Sequence, residues 1–149
     1  MSTGEARNSP KLYSPRMLAL SAELANFPFN PASQLVAEAR SRTCGSTIKL
    51  GIDYNVTSGV SKIGMQVAAC AVGQSSAAVL ARAISGKDKQ TLTETVEQIE
   101  GWLGGDCAAP DWPDFDVLSG ARSHPGRHGA LLLPWNAALE ALSSRNPAG

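Results

Sequence analysis

The chain has little of what would mark it for a membrane, for nucleic acid or for secretion. No apolar run approaches the ~20 residues that a membrane-spanning helix needs. The opening Met1-Ser2-Thr3-Gly4-Glu5 has neither the basic nor the apolar region of a secretory signal. Charge is balanced, with 13 Lys and Arg against 13 Asp and Glu, and the basic residues nowhere cluster as phosphate-backbone binding demands. Neither a membrane nor nucleic acid is an expected partner. Cysteine is scarcer still: 3 thiols, an odd number, do not make the disulfide framework of a secreted domain. A reduced, cytoplasmic protein is expected. Phosphate loops, nucleophile-elbow pentapeptides and paired Cys-x-x-Cys knuckles are also missing.

What remains is a chain of 149 residues, 43% of them hydrophobic, the size of one ordinary domain. Such a chain buries about two thirds of the surface its unfolded form exposes and needs no metal merely to fold. Any metal site then needs a functional reason.

Residues 1–12 are polar and aperiodic and read as a disordered tail. Ser14-Pro15 is a helix start, a cap followed by the position at which proline costs nothing. Met17, Leu20 and Leu24 share one side of that helix, with Leu18, Ala22 and Ala25 beside them, and the two prolines of Phe27-Pro28-Phe29-Asn30-Pro31 end it. From Gln34 the period becomes two. Leu35, Ala37 and Ala39 form one strand face, Ile48, Leu50, Ile52 and Tyr54 a second, and Ile63, Met65, Val67 and Ala69 a third, the second strand facing a core on one side only. Tight links between them make an antiparallel meander.

After Cys70 the period turns helical through Ser76, Val79, Leu80, Ala83 and Ile84, with Gly86 as a left-handed terminator. A second helix is marked by Thr91 and Glu94 at capping-box spacing and by Leu92, Val96, Ile99 and Leu103, and it ends at Gly104-Gly105. Residues 106–127, rich in Pro, Gly and Asp, read as a long connection with one short helix. Ala130 to Leu142 is apolar enough for a buried helix with Pro134 near its first turn, and residues 143–149 read as a loose tail. Strands first and helices afterwards describe an α+β domain over residues 13–142, a small three-stranded antiparallel sheet covered by helices on one face.

The chemistry-bearing residues fall at element ends. Cys44 lies between the first two strands, and Cys70 between the third strand and the following helix. A thiol at a helix N-terminus meets the positive end of the dipole, which favours the thiolate that binds metals. In a meander the start of strand two and the end of strand three share one end of the sheet, so these thiols, 26 residues apart, can come close. By residue type alone, a free cysteine behaves as a small buried hydrophobe. His124 and His128, just before the last helix, are the only imidazoles; a loop histidine is most often solvated or a local hydrogen-bond partner. Cys107 follows Gly104-Gly105-Asp106 as an exposed thiol. Nothing orients a third group or an oxyanion site around Cys70 and His128, so no enzyme is expected.

Three passages resemble the NifU/IscU-type (U-type) iron-sulfur cluster assembly scaffolds, over nearly the whole length from Tyr13 to Leu142. Thr43-Cys44-Gly45-Ser46 stands where the family has Ala-Cys-Gly-Asp before its second strand. Cys70-Ala71-Val72-Gly73-Gln74-Ser75-Ser76 runs to Gly86-Lys87 as the family's second cysteine does into a serine-rich helix. Arg127-His128-Gly129-Ala130 stands where a His-Cys pair opens the last helix. Gly129 replaces the third cysteine of the active scaffolds, Ser46 replaces the aspartate that helps exchange the cluster, and the LPPVK chaperone-docking segment is missing.

The resemblance implies a scaffold or carrier that binds iron or a 2Fe-2S cluster, or zinc when empty, through Cys44, Cys70 and His128. It also implies a cysteine desulfurase and iron-sulfur acceptor proteins as partners. A 2Fe-2S cluster or tetrahedral zinc takes four ligands, and this set makes three, with Ser46 a poor fourth and Cys107 available only if the long connection folds back. The same count fits a degenerate U-type binding module, with a vestigial zinc site or no metal, that acts through protein partners.

Overall fold

The computed structural model describes residues 12–42 and 45–144. Cys44 and most of both expected tails lie outside the described residues. Helix α1 (Pro15–Ala22) is followed by a 3-10 turn (Glu23–Asn26), strands β1 (Leu35–Arg40), β2 (Thr47–Asn55) and β3 (Gly59–Ala68), and helices α2 (Ala71–Ala83) and α3 (Lys89–Leu103). Two 3-10 segments (Phe115–Ser123 and Pro125–Arg127) then lead into α4 (His128–Ser143). The domain is α+β, and its sheet has the expected antiparallel order β1-β2-β3.

Pairing sets side chains in rows across the sheet. Leu35–Ile52–Ile63, Ala37–Leu50–Met65 and Ala39–Ile48–Val67 are in register and face the helices, with Leu50 and Ile52 fully buried. Helix α4 lies across β1 and β2, α2 lies against β3, α3 packs on α4, and α1 packs on α2. Each fully buried aliphatic side chain in these rows contributes about 1.5–3 kcal/mol, so the rows outweigh any surface ion pair.

The opposite face is not bare throughout. Gly51 and Gly64 are register partners in β2 and β3, and the chain between α1 and β1 crosses over them. A Cβ on Gly51 would lie 2.5 Å from the Ser33 hydroxyl, and one on Gly64 would collide with the Pro28 carbonyl. The strap is anchored where the Met65 N–H donates to the Phe27 carbonyl (2.8 Å) and where Gln34 N–H donates to Asp53 Oδ1 (2.9 Å). β2 therefore has a neighbour on both faces at Gly51, where its alternation implied one. Beyond the strap, the row Glu38–Lys49–Gln66 and Arg40 border an open groove of about 450 Å³.

Several boundaries differ from the sequence pattern. Helix α1 gives way to a 3-10 turn at Glu23, and Leu18 points outward, 55% exposed. Leu12 packs against the core at the near end of the expected tail. Helix α3 begins at Lys89, because Asp88 caps it three residues ahead of Thr91, its carboxylate accepting the Thr91 N–H at 2.8 Å. The final helix begins two residues early and continues to Ser143, so Pro134 lies inside it. Arg16 joins the carboxylates of Asp116 (2.6 Å) and Asp114 (2.8 Å), while Arg82 reaches Asp114 (3.1 Å) and Glu23 (3.4 Å), so ion pairs tie α1, α2 and the 3-10 segment at the surface.

Two measurements check this account. In urea unfolding, Gly64→Ala lowers stability by about 1–3 kcal/mol through the clash with the strap, whereas Gly126→Ala, which meets nothing within 4 Å, stays within about 0.5 kcal/mol of the parent. The Arg16 guanidinium holds the Asp116 carboxyl below the usual carboxylate range. A group whose pKa is lowered on folding stabilises the fold above its unfolded pKa, about 3.9, and loses that contribution as pH falls through the lower folded value. The small stability difference between the parent and Arg16→Ala is therefore expected to be present at neutral pH and to shrink below about pH 4.

Candidate functional site

The starts of α2 and α4 meet. A Cβ on Gly73 would lie 2.7 Å from the Ala69 methyl and 3.4 Å from both the methyl and the carbonyl oxygen of Ala130, so the helices approach as closely as a residue without a side chain permits. Pro134, inside α4, has no N–H to return to that Ala130 carbonyl. Ser76, fully buried, donates its hydroxyl to the Leu131 carbonyl (2.6 Å) and accepts from Trp135 Nε1 (2.8 Å). Trp135 is itself enclosed by Trp112 at 4.9 Å and Phe115 at 6.0 Å, both edge-on, a geometry that aromatic quadrupoles favour.

Cys70 sits on this junction. It is the residue before α2, with extended backbone (φ −68°, ψ 175°) and no capping hydrogen bond from its side chain. Its free thiol is half-buried. The first turn is closed by Gln74, whose backbone N–H donates to the Cys70 carbonyl (2.9 Å) and whose Nε2 donates to the Ala69 carbonyl (3.0 Å).

The described residues on either side of Cys44 belong to the link between β1 and β2. Gly45 has φ +72° and donates its N–H to the Ser41 carbonyl (3.1 Å), and Ser41 N–H donates to the Ser46 carbonyl (2.8 Å). Ser46 is 4% exposed and leads directly into Thr47, the register partner of Ala68 two residues before Cys70. The link and Cys70 thus share one end of the sheet.

His128 is the first residue of α4, half-buried, with Nε2 2.8 Å from the Arg122 carbonyl oxygen. Arg122 in turn donates Nε–H to the Trp102 carbonyl (2.8 Å) at the end of α3. His124 is a local partner, its Nδ1 3.0 Å from the Gly120 carbonyl and 3.4 Å from the Ser123 hydroxyl. Cys107 is exposed and lies along α3, its thiol donating to the Gln98 carbonyl (3.5 Å) beside Gly101. The long connection does not carry it to Cys70, because Gln98 Nε2 also holds the Ala108 and Ala109 carbonyls, each at 3.2 Å. Among the described residues no three His, Cys, Asp or Glu side chains gather as a metal would require.

Of the residues singled out in the sequence, Cys70 and His128 open two helices whose first turns touch, Cys44 is outside the described residues, and Cys107 is elsewhere. Two participants escaped the sequence reading. Ser76 was visible only as one member of a helical repeat, and the Arg122 carbonyl had no signal at all, since every residue has one.

No protein-family model matches the chain, and no curated protein matches it significantly. Solved structures do. The N-terminal part of a nitrogen-fixing NifU-like protein from Brucella abortus superposes with a TM-score of 0.82 at 24% identity, over 91% of this chain and 96% of that one. A putative iron-sulfur cluster assembly scaffold protein for the SUF system from Fervidobacterium islandicum AW-1 gives 0.75 at 23% identity, over 88% and 96%. A protein described only as hypothetical gives 0.63 at 20% identity, over 86% and 97%. The chain has the NifU-like fold that its three passages implied.

Because Ser76 fixes α2 against α4, Ser76→Ala strips a partner from the buried Trp135 N–H. The expected cost is about 1–3 kcal/mol in denaturant unfolding, with a changed tryptophan emission at the junction.

Proposed function

We propose that the chain is an iron-sulfur cluster scaffold or carrier, holding iron or a 2Fe-2S cluster as cargo through Cys44, Cys70 and His128. In this reading sulfur arrives from a cysteine desulfurase and acceptor proteins receive the cluster. The observation that supports it is that Cys70 and His128 open helices that touch at Gly73 and Ala130, while the described flanks of the link between β1 and β2 lie at the same end of the sheet as Cys70. The NifU-like fold supports it, since one chain of that fold is named as a putative iron-sulfur cluster assembly scaffold and another as a nitrogen-fixing NifU-like protein.

The donor set suits the cargo in type. Thiolate and imidazole both bind iron and zinc. In number it falls one short of four, because Gly129 has no side chain and Ser46 offers only a neutral hydroxyl turned into the protein. A site with three protein ligands leaves one position for a thiolate from a partner, which suits passing a cluster on.

The same two positions favour a second reading, a degenerate binding module with a vestigial zinc site or no metal, acting through protein partners. Anaerobic reconstitution with ferrous iron, cysteine and a cysteine desulfurase separates the two. A carrier is expected to yield a coloured, iron- and sulfide-containing protein by visible absorption and metal analysis, with the chromophore lost in Cys44→Ala and Cys70→Ala. A colourless, iron-free product overturns the scaffold reading, and desulfurase binding that persists unchanged in both variants without any metal establishes the module.

A further inference from the structure

The two edges of the sheet are treated differently. Along β3 the outward backbone groups are taken up: Met65 N–H by the Phe27 carbonyl (2.8 Å), Val60 N–H by the Lys87 carbonyl (2.9 Å), and the Val60 carbonyl by Gly86 N–H (2.8 Å). The strap and the chain after α2 thus cover that edge. β1 is the other edge strand. Its alternation is set by Ser41, whose N–H donates inward to the Ser46 carbonyl. Inward and outward groups alternate along an antiparallel strand, so Leu35, Ala37 and Ala39 pair with β2, and Val36, Glu38 and Arg40 turn their N–H and C=O groups outward. Among the described residues no backbone group pairs with those three. β1 has neither a proline nor a bulge to blunt it, and Val36 is 41% exposed. Only the charges of Glu38 and Arg40 guard the edge.

Those charges select the occupant. A strand of the same sequence adds to this edge about a two-fold axis, antiparallel. Three registers overlap most of the strand and keep outward groups opposite each other. With Ala37 on the axis, Glu38 faces Val36. With Glu38 on the axis, it faces its own copy, a like-charge pair that opposes association. With Ala39 on the axis, Glu38 of each copy faces Arg40 of the other, and the axis itself brings together only methyl groups. Glu38 and Arg40 are exposed, and among the described residues neither is in an ion pair that would have to break.

We propose that β1 is a docking edge for a second copy of this chain, joining the two sheets into one with Glu38 of each copy opposite Arg40 of the other. Each such pair exchanges both of its N–H···O bonds. The contact is short and its charges are in water, so the dimer is weak and forms as concentration rises.

Sedimentation velocity of the full chain over a concentration series at low salt reads the association, and amide hydrogen exchange reads the edge. A monomer–dimer equilibrium is expected. The Glu38 and Arg40 amides gain protection with concentration, while those of Ala37 and Ala39, bonded to β2, are protected throughout. Glu38→Arg and Arg40→Glu are each expected to weaken dimerisation about tenfold or more, and the two together to restore it, because opposite charges face each other again. Thermal unfolding of each variant confirms that it is folded. A monomer at every concentration overturns the proposal, whether the edge amides exchange freely or are already protected by another segment of the chain. A dimer indifferent to the single changes, or a double change that fails to restore it, also overturns the proposal, since association then uses another surface or register.

Discussion

The close approach of α2 and α4 is the constraint on which the arrangement depends. Two helices at ordinary spacing would hold their first residues apart by the thickness of a side-chain layer. Gly73 removes that layer against Ala130, and the Ser76 hydroxyl locks the next turn to Leu131 and Trp135. The hydroxyl is buried, but it costs little there, because it satisfies a tryptophan N–H that would otherwise be stranded. Polar matching in this one place sets the rotation of α4, and with it where His128 stands relative to Cys70.

The sheet does the corresponding work for the hairpin. Thr47 opposite Ala68 brings the β1–β2 hairpin and the end of β3 together, and the three core rows pin that register, since a slip of one residue would turn Leu50 and Ile52 to the wrong face. The surface ion pairs around Arg16 and Arg82 are of another order: they tie α1 to its neighbours in water and add little to stability.

Much of this was legible residue by residue. Period two in Ile48, Leu50 and Ile52 and in Ile63 and Met65 marked strands because alternate positions are buried, and Gly86 marked the end of α2 because its φ of +82° suits glycine. The start of α3 was misplaced because Thr91 and Glu94 imitate a cap, while Asp88, three residues earlier, accepts the N–H that defines one. Gly51 and Gly64 were visible singly, but that they face one another beneath a crossing strap is a property of register, which pattern does not carry. Of the residues that the family passages singled out, Cys70 and His128 stand at the starts of α2 and α4. Their common setting came from Gly73, Ser76 and a backbone carbonyl, none of which has a distinctive sequence sign.

The strap over Gly51 and Gly64 also gives the molecule two unlike ends. At one, the Phe27 carbonyl and the Lys87 carbonyl each take an N–H from β3, and backbone closes over the sheet. At the other, beyond the glycines, the row Glu38–Lys49–Gln66 and Arg40 remain in water. Among the described residues, then, the strap covers the sheet at Gly51 and Gly64 while the strand row next to it on the Cys70 side stays open, and the glycines that admit the strap are what divide that face.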